Sequence, residues 1–306
     1  MAGLGQNVNT HFTVRSRMNG SAELNGEQVG VWFFDSEGSG MGFMGDRQMP
    51  SAHFEPIQGE PIEIDFTNSS GMPHTIHLHG LDVDQANDGV PQTSFAIDPG
   101  DSFTYRFIAP HAGTYHYHCH VDTVVHYHRG MSGAVIVRPP DGSINRAWDG
   151  GPTFQEEVLW HLQTYDMSWK DVMVSGSQTA RHHPNVFLLN GKQTEQAMTD
   201  PYTRLELLFG HTAYIRLVNM GYQWARVSLG GLPFEVVASD GRPMRQVPMT
   251  DQWEIGPGER YDLLFQPLGP NIMQPTEPTV VQATIDYLDD YTGKILGQVA
   301  TQITIG

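Results

Sequence analysis

The chain has 306 residues, with 17 lysines and arginines against 34 aspartates and glutamates, a formal net charge of −17. This length allows two domains of ordinary size. The acidic balance argues against binding to nucleic acid or to an anionic membrane surface. It suits metal ions, cationic substrates or a basic redox partner, and equally a solvated acidic surface. The single cysteine, Cys119, excludes an intrachain disulfide, and no apolar run is long enough to cross a membrane.

The first half of the chain predicts β-strands separated by turns, in keeping with the 33 glycines and 20 prolines. Ile62, Ile64 and Phe66 alternate with polar residues, as in a strand with one buried face. The Asn25-Gly26 pair predicts a tight turn. Strands are predicted at 9–18, 59–68, 102–108 and 132–138, and the stretch 113–131 is predicted to be the end of a strand and the loop that follows it. The second half predicts a similar set of strands, so the chain is expected to be all-β.

A loop rich in glycine and methionine is predicted at 35–50. Its thioethers belong to Met41, Met44 and Met49. They either bind a soft metal ion such as Cu(I) or pack the loop against the protein.

The stretch 113–131 contains Cys119 and five of the fifteen histidines. Successive side chains of a strand point to opposite faces. His116, His118 and His120 are therefore expected on one face and Cys119 on the other. A thiolate joined by short covalent links to imidazoles on the opposite face suits electron transfer between two metal sites.

Four residues match the ligand set of a blue-copper centre, which needs one cysteine thiolate, two histidines and a weak axial methionine. Cys119, His126 and Met131 lie in one loop, and His74 would come from a neighbouring strand. Zinc prefers four strong ligands and has no use for a methionine. The pattern therefore predicts type 1 copper.

The sequence HTIHLHG, followed by YHCH and by His126 five residues before Met131, resembles the copper-binding halves of multicopper oxidases. It is most similar to two-domain laccase-like enzymes with blue copper in the first domain. Copper nitrite reductases are more distantly similar. The resemblance implies two tandem cupredoxin-like Greek-key β-sandwich domains. We expect domain 1 at 1–140, a linker at 141–153 and domain 2 at 154–306.

The same resemblance implies a second copper site built from two His-x-His pairs. His77 would bind type 2 copper, and His79, His118 and His120 would bind the type 3 pair. Asp88 matches an acidic residue that helps to deliver protons in the family, although an aspartate before a glycine is also an ordinary turn residue.

The partner pairs that the family takes from another domain are missing here. Ser228 and Gly230 occupy the first expected pair, and Ile285 and Tyr287 the second. Domain 2 is therefore predicted to lack recognisable copper ligands. Its remaining histidines are expected to be surface or structural residues: His161, His182, His183 and His211. The adjacent pair His182-His183 could instead reach across a subunit interface.

Three interpretations stay open. The missing ligands come from another domain or chain, or the four histidines hold a reduced site, or the second site is lost and the chain is a blue-copper electron carrier. A nitrite reductase-like enzyme would use His79 and His118, but His77 and His120 follow the oxidase pattern better.

The resemblance implies a copper-dependent oxidoreductase. Electrons would come from a phenol, a metal ion or a small redox protein at an exposed histidine edge, with His128 at the rim, and would pass through Cys119 to copper that reduces O2. Relatives of this kind form homotrimers and are exported, which predicts a periplasmic or secreted protein, although residues 1–14 lack the features of a signal peptide.

Overall fold

A computed structural model describes residues 4–6, 8–37, 48–177, 181–267 and 277–306. Met41 and Met44 lie outside these residues. The described chain divides into two compact units. The N-terminal unit comprises the described residues from 4 to 144 together with Asp166–His183, and the C-terminal unit comprises Asn145–Tyr165 and Pro184–Gly306. Domain 2 was predicted to include 166–183, which instead groups with the N-terminal unit.

The N-terminal unit contains two sheets, with strand orders β2-β1-β3-β5 and β4-β6-β7. Its elements are β1 His11–Leu24, β2 Glu27–Glu37, β3 Pro61–Thr67, β4 His77–His79, β5 Ser102–Ile108, β6 Gly113–His118, helix α1 Thr123–His128 and β7 Ser132–Val137. Short 3-10 helices lie at Gln85–Asn87, Met167–Trp169 and Ser175–Ser177.

The predicted turn at Asn25-Gly26 is confirmed, since both residues have positive φ, of 49° and 76°, and join β1 to β2 in an antiparallel pair. β3 lies parallel to β1. The alternation of Ile62, Ile64 and Phe66 places all three side chains in the core of the unit. Burial of these apolar faces stabilises the fold by roughly 1.5–3 kcal/mol for each large side chain.

The C-terminal unit contains sheets with the orders β14-β13-β17-β11-β8-β9 and β10-β19-β18-β12-β16, and β15 also pairs with β13. Its elements are β8 Glu156–Tyr165, β9 Val186–Leu189, helix α2 Thr194–Ala197, β10 Leu205–Leu207, β11 Ala213–Asn219, β12 Trp224–Ser228, β13 Phe234–Ser239, β14 Arg242–Pro243, β15 Met249–Thr250, β16 Gln252–Ile255, β17 Arg260–Phe265, β18 Thr279–Leu288 and β19 Ile295–Ile305.

The two units repeat one plan. The parallel pair β1–β3 and the antiparallel pair β3–β5 correspond to β8–β11 and β11–β17. The antiparallel order β4-β6-β7 corresponds to β12-β18-β19. The prediction of an all-β chain with two tandem β-sandwiches is confirmed. None of the described helices is long and apolar enough to cross a membrane.

A buried asparagine occurs at the same place in both units. Asn68 follows β3, and Asn219 ends β11. Each side-chain amide donates to two main-chain carbonyl oxygens at 2.8–3.0 Å, those of Met72 and Ile97 from Asn68 and those of Gln223 and Ile255 from Asn219. Buried amides need such partners, so this shared geometry gives a reliable reference for comparing the strands that follow.

Candidate metal centre

The first candidate group joins three buried side chains from distant parts of the N-terminal unit. Cys119 Sγ lies 3.1 Å from His126 Nδ1 and 3.5 Å from His74 Nδ1, and the two Nδ1 atoms are 3.2 Å apart. A bridge between His74 and Ile97 holds the His74 main chain, with hydrogen bonds of 3.1 and 3.0 Å. Three ligand-type atoms therefore converge on one point.

Met131 is held beside this group by its main chain. Its carbonyl oxygen accepts from Cys119 N at 3.0 Å, and its N–H donates to His126 O at 3.1 Å. The Met131 side chain is fully buried in the same apolar cluster as Cys119. The structure thus places the predicted methionine next to two of the three converging residues.

Burial sets the protonation of this group. It raises the pKa of the Cys119 thiol to about 12. Burial, and next the neighbouring His126 imidazole, lower the pKa of His74 to about 3. Burial also lowers the pKa of His126 to about 4, against the opposing charge of Asp122. Two neutral imidazoles with a thiol that a bound cation would deprotonate are a fitting donor set for a soft metal ion.

A second candidate group lies where β4 pairs with β6. The register places His77 opposite His118 and His79 opposite His116. Ligand atoms of His77, His79 and His118 lie within 4.8 Å of one another. His118 Nδ1 donates to Cys119 O at 3.0 Å, so His118 Nε2 carries the lone pair, 3.5 Å from His79 Nδ1.

His120 stands beside this second group. Its ring centroid is 5.1 Å from that of His77 and 5.7 Å from that of His118. The main-chain N–H of His120 donates to Thr75 Oγ1 at 3.1 Å. Its Nδ1 is buried without a hydrogen-bond partner among the described residues. His120 therefore lies next to the three converging imidazoles, and burial lowers the pKa of His118 to about 3, which keeps this ring neutral.

Asp88 contacts His77 in two ways. His77 Nδ1 donates to the Asp88 main-chain oxygen at 2.7 Å and lies 3.3 Å from its Oδ1. A Cβ on the next residue, Gly89, would lie 2.0 Å from Ile76 O, and the φ of Gly89 is +68°. Only glycine allows this close approach. The contact orients His77 so that Nε2 carries its lone pair, the usual arrangement behind a metal-binding histidine.

Aromatic rings surround the two groups, and of these only His116 was predicted, on the face that it shares with His118 and His120. His116 is buried and stacks on His79 with centroids 4.2 Å apart. The ring of Tyr127 meets His118 edge-on at 5.1 Å, and Trp32 meets His126 edge-on at 5.1 Å. The spacing of His116 from His118 was the one available signal. The other contacts depend on how α1 and β2 pack.

The expectations of an exposed histidine edge and of His128 at a rim are wrong. His126 is 0% exposed and His128 is 2% exposed. The stretch after Cys119 was predicted as a loop but contains α1, which buries both rings.

Two family models, both described as multicopper oxidase, match residues 30–142 and 158–271. This chain belongs to the multicopper oxidase family. The cofactor of the family is copper, the soft metal that the first donor set suits.

Two curated relatives of this multicopper oxidase chain are longer than it. It is 32% identical over 241 residues to the oxidoreductase OpS5 of Beauveria bassiana, covering 74% of this chain and 39% of that protein. It is 27% identical over 243 residues to the dihydrogeodin oxidase of Aspergillus terreus, covering 74% of this chain and 38% of that protein. The chain thus spans less than half the length of these two curated relatives.

The fold is shared with solved multicopper oxidases. The blue copper oxidase from Nitrosomonas europaea aligns with a TM-score of 0.73 and 24% identity over 96% of this chain and 85% of that one. The multicopper oxidase mgLAC aligns with a TM-score of 0.72 and 23% identity over 96% and 85%. The cupredoxin-like fold of this chain follows from these likenesses.

The C-terminal unit of this multicopper oxidase chain has different residues at the corresponding strand positions. Measured from Asn68 and Asn219, Ser228 corresponds to His77 and Gly230 to His79, as the sequence predicted. The sheet register pairs Ser228 with Thr284, just as His77 pairs with His118.

That register revises the second expected pair. Thr284 and Asp286, rather than Ile285 and Tyr287, correspond to His118 and His120. Ile285 and Tyr287 are fully buried in the core of the unit. The Tyr287 hydroxyl accepts from Gln163 N at 2.9 Å and donates to Leu188 O at 2.6 Å, so it has a structural role.

The remaining histidines of the second half are dispersed. His161 is fully buried, with Nδ1 3.1 Å from Met220 Sδ, and His211 Nδ1 lies 3.7 Å from Glu156. His182 and His183 belong to the N-terminal unit. Among the described residues of the C-terminal unit, no three His, Cys, Asp or Glu side chains converge as a metal site would need.

Proposed function

We propose that this chain is a copper-dependent oxidoreductase that takes single electrons from a donor and reduces O2. The observation that carries the proposal is that His118 and Cys119, adjacent in the chain, belong to two different convergent groups. A protein that only stored copper would not need this direct link between its sites. The proposal also draws on membership of the multicopper oxidase family.

We assign His74, Cys119, His126 and Met131 as the ligands of type 1 copper. The first three present their donor atoms within 3.5 Å of one another, and Met131 is bound to two of these residues through its main chain. Copper bound by these residues would supply one-electron redox chemistry at this group, and copper at the second group would supply the chemistry of O2 reduction.

We assign His77, His79, His118 and His120 as the ligands of the second site, with type 2 or type 3 copper. Cys119 connects the two groups. Its own carbonyl oxygen accepts from His118 Nδ1 at 3.0 Å, which adds a hydrogen bond to the covalent path between thiolate and imidazole. His120 is attached to Cys119 by the next peptide bond. Electrons thus have two short routes out of the thiolate.

Asp88 is assigned a role in proton delivery. Reduction of one O2 to two water molecules takes four electrons and four protons. The Asp88 carboxylate is about one-third exposed and lies 3.3 Å from His77, so it connects solvent with the second group. The hydrogen bond from His77 to the Asp88 main chain fixes the ring that borders this path.

The partners follow from the same proposal. The donor is a phenol, a metal ion or a small redox protein, and O2 is the acceptor. A homotrimer would allow another subunit to complete the second site. A periplasmic or secreted location suits a copper oxidase of this type.

Copper analysis combined with oxygen uptake tests the function. Fully loaded protein is expected to hold more than one copper per chain, to show both type 1 and type 2 EPR signals and to consume O2 with a one-electron donor. Light scattering on the same sample tests the trimer. Loaded protein that consumes no O2 with any one-electron donor would contradict the proposal.

A second candidate function is a blue-copper electron carrier without catalysis. It is favoured by one observation, the presence of Ser228, Gly230, Thr284 and Asp286 at the positions that correspond to the histidine pairs. A carrier would hold one copper per chain and show only the type 1 signal. Replacing His77 and His79 would then leave its redox behaviour unchanged.

A further inference from the structure

The edge of the His126 imidazole, where a donor would deliver electrons, is not accessible to solvent. His126 is fully buried and its Nε2 has no hydrogen-bond partner among the described residues. Trp32 covers the ring edge-on at 5.1 Å and is itself 1% exposed. A donor in solvent therefore cannot touch the imidazole, and electrons must cross other side chains.

The 166–183 segment, described at 166–177 and 181–183, is fastened to both ends of α1, the helix that carries His126. At its start, the Asp122 carboxylate accepts from Ser175 N at 2.7 Å. At its end, the ring of Trp169 meets His128 edge-on at 5.7 Å. Val172 packs against the apolar cluster that contains Cys119. The segment thus forms part of the wall around the first candidate group.

Three rings of this region touch one another and lead towards the surface. His128, buried at the end of α1, lies 5.7 Å from Trp169 and 5.5 Å from His182. Trp169 and His182 are 5.1 Å apart. Trp169 is buried, whereas His182 is partly exposed. His128 is joined to His126 through two peptide bonds.

We propose that His182, Trp169 and His128 form the route by which an outside donor reduces the type 1 site. His182 is the outermost ring, Trp169 carries the contact inward, and His128 passes the electron into α1 and so to His126. The donor loses one electron and the oxidised site gains it, while the three rings stay unchanged and no proton moves. This inference rests on the type 1 half of the proposed function and does not depend on O2 reduction.

The test measures the rate of anaerobic reduction of the copper-loaded full chain by hexaammineruthenium(II), an outer-sphere one-electron donor. Bleaching of the blue absorption reports the reduction. His182→Ala and Trp169→Leu are each expected to slow bleaching by about tenfold, a rise of about 1.4 kcal/mol in the barrier. Trp169→Phe, which keeps an aromatic ring, is expected to recover most of the rate. His11→Ala is the matched control, since His11 is also exposed in the N-terminal unit and contacts Asp65.

Two further measurements separate a route from a merely structural role. The midpoint potential and EPR spectrum of the oxidised His182→Ala protein are expected to match the unmodified protein. In copper-free protein, hydrogen exchange of the α1 amides is expected to be unchanged by His182→Ala, because the Ser175 contact remains.

Each outcome either supports or overturns the proposed electron route. Slower bleaching in His182→Ala at an unchanged potential supports the route. Bleaching at the His11→Ala rate overturns it. Faster bleaching in Trp169→Leu also overturns it, because the segment would then only shield His126. Failure of the oxidase proposal shows itself separately, as a type 1 site that bleaches normally in a protein that consumes no O2.

Discussion

Cys119 and His118 are neighbours in the chain but serve different groups. Cys119 Sγ lies 3.1 Å from His126 Nδ1, and His118 Nε2 lies 3.5 Å from His79 Nδ1. His118 is the last residue of β6 and Cys119 follows it directly, and the two side chains reach different groups. This relationship separates the two groups while keeping them one peptide bond apart.

Cys119→Ser is expected to abolish the blue absorption and the type 1 EPR signal. The hydroxyl is a harder ligand than a thiolate and does not provide the same bond to copper. Copper at the second site is expected to remain, because its four imidazoles are unchanged. Elemental analysis and EPR measure both effects.

Met131→Leu is the control for this change. It keeps the thiolate and both imidazoles, so the blue absorption is expected to persist with a shifted reduction potential, since the axial ligand tunes that potential. Blue absorption that survived in Cys119→Ser would disprove the assignment.

Replacing both His77 and His79 by alanine is expected to lower the copper content and to abolish oxygen uptake. The type 1 site does not use either ring, so anaerobic bleaching of the blue absorption is expected to continue. His211→Ala, in the C-terminal unit, is the matched control. If the double variant kept its full copper content and redox behaviour, the electron-carrier function would replace the oxidase.

Asp88→Ala is expected to slow O2 reduction by about 100-fold, the lower range for loss of a positioned acid–base group. Copper content is expected to stay the same, because His77 Nδ1 donates to the main-chain oxygen of residue 88, which the substitution retains. The measurement is oxygen uptake under saturating donor across a range of pH. Asp98→Ala, an exposed turn residue, provides the comparison, and equal rates in the two variants would exclude the proton-delivery role.

Glu55 is expected to make stability depend on pH. Burial by itself raises the pKa of Glu55, but the hydrogen bond from His53 and the charge of Arg138 lower it to about 2 from 4.5. Because the folded pKa is depressed, this stabilisation is present above pH 4.5 and is lost as the pH falls towards 2. Its size is on the order of 3 kcal/mol.

The variant Glu55→Gln tests this in copper-free protein by urea unfolding. Arg138, which lies 2.6 Å from Glu55 and is fully buried, would lose its anionic partner, so the expected cost near neutral pH is about 3–5 kcal/mol. The variant is expected to lose less stability than the unmodified protein between pH 4.5 and 2. Glu23→Gln, at an exposed strand position, should behave like the unmodified protein at every pH.

Local chemistry made much of this protein predictable from its sequence. Alternation at Ile62, Ile64 and Phe66 indicated a strand with one buried face, because the side-chain period of a strand is two. The residue types Cys, His and Met limited the metal to copper. The short link between Cys119 and His118 is covalent, so it needed no knowledge of the fold.

Other features depended on contacts between residues far apart in the chain. The register of β12 with β18 assigns Thr284 and Asp286, and a shift of one residue exchanges the two faces of a strand. The burial of His126 and the return of the 166–183 segment to the N-terminal unit leave no periodic signal in the sequence. The sequence by itself determined which side chains carry donor atoms suited to copper and which of them are adjacent by covalent bonds. Only the tertiary structure decided which side chains converge, how the strands are aligned and which ring faces the solvent, because these follow from packing across the whole unit.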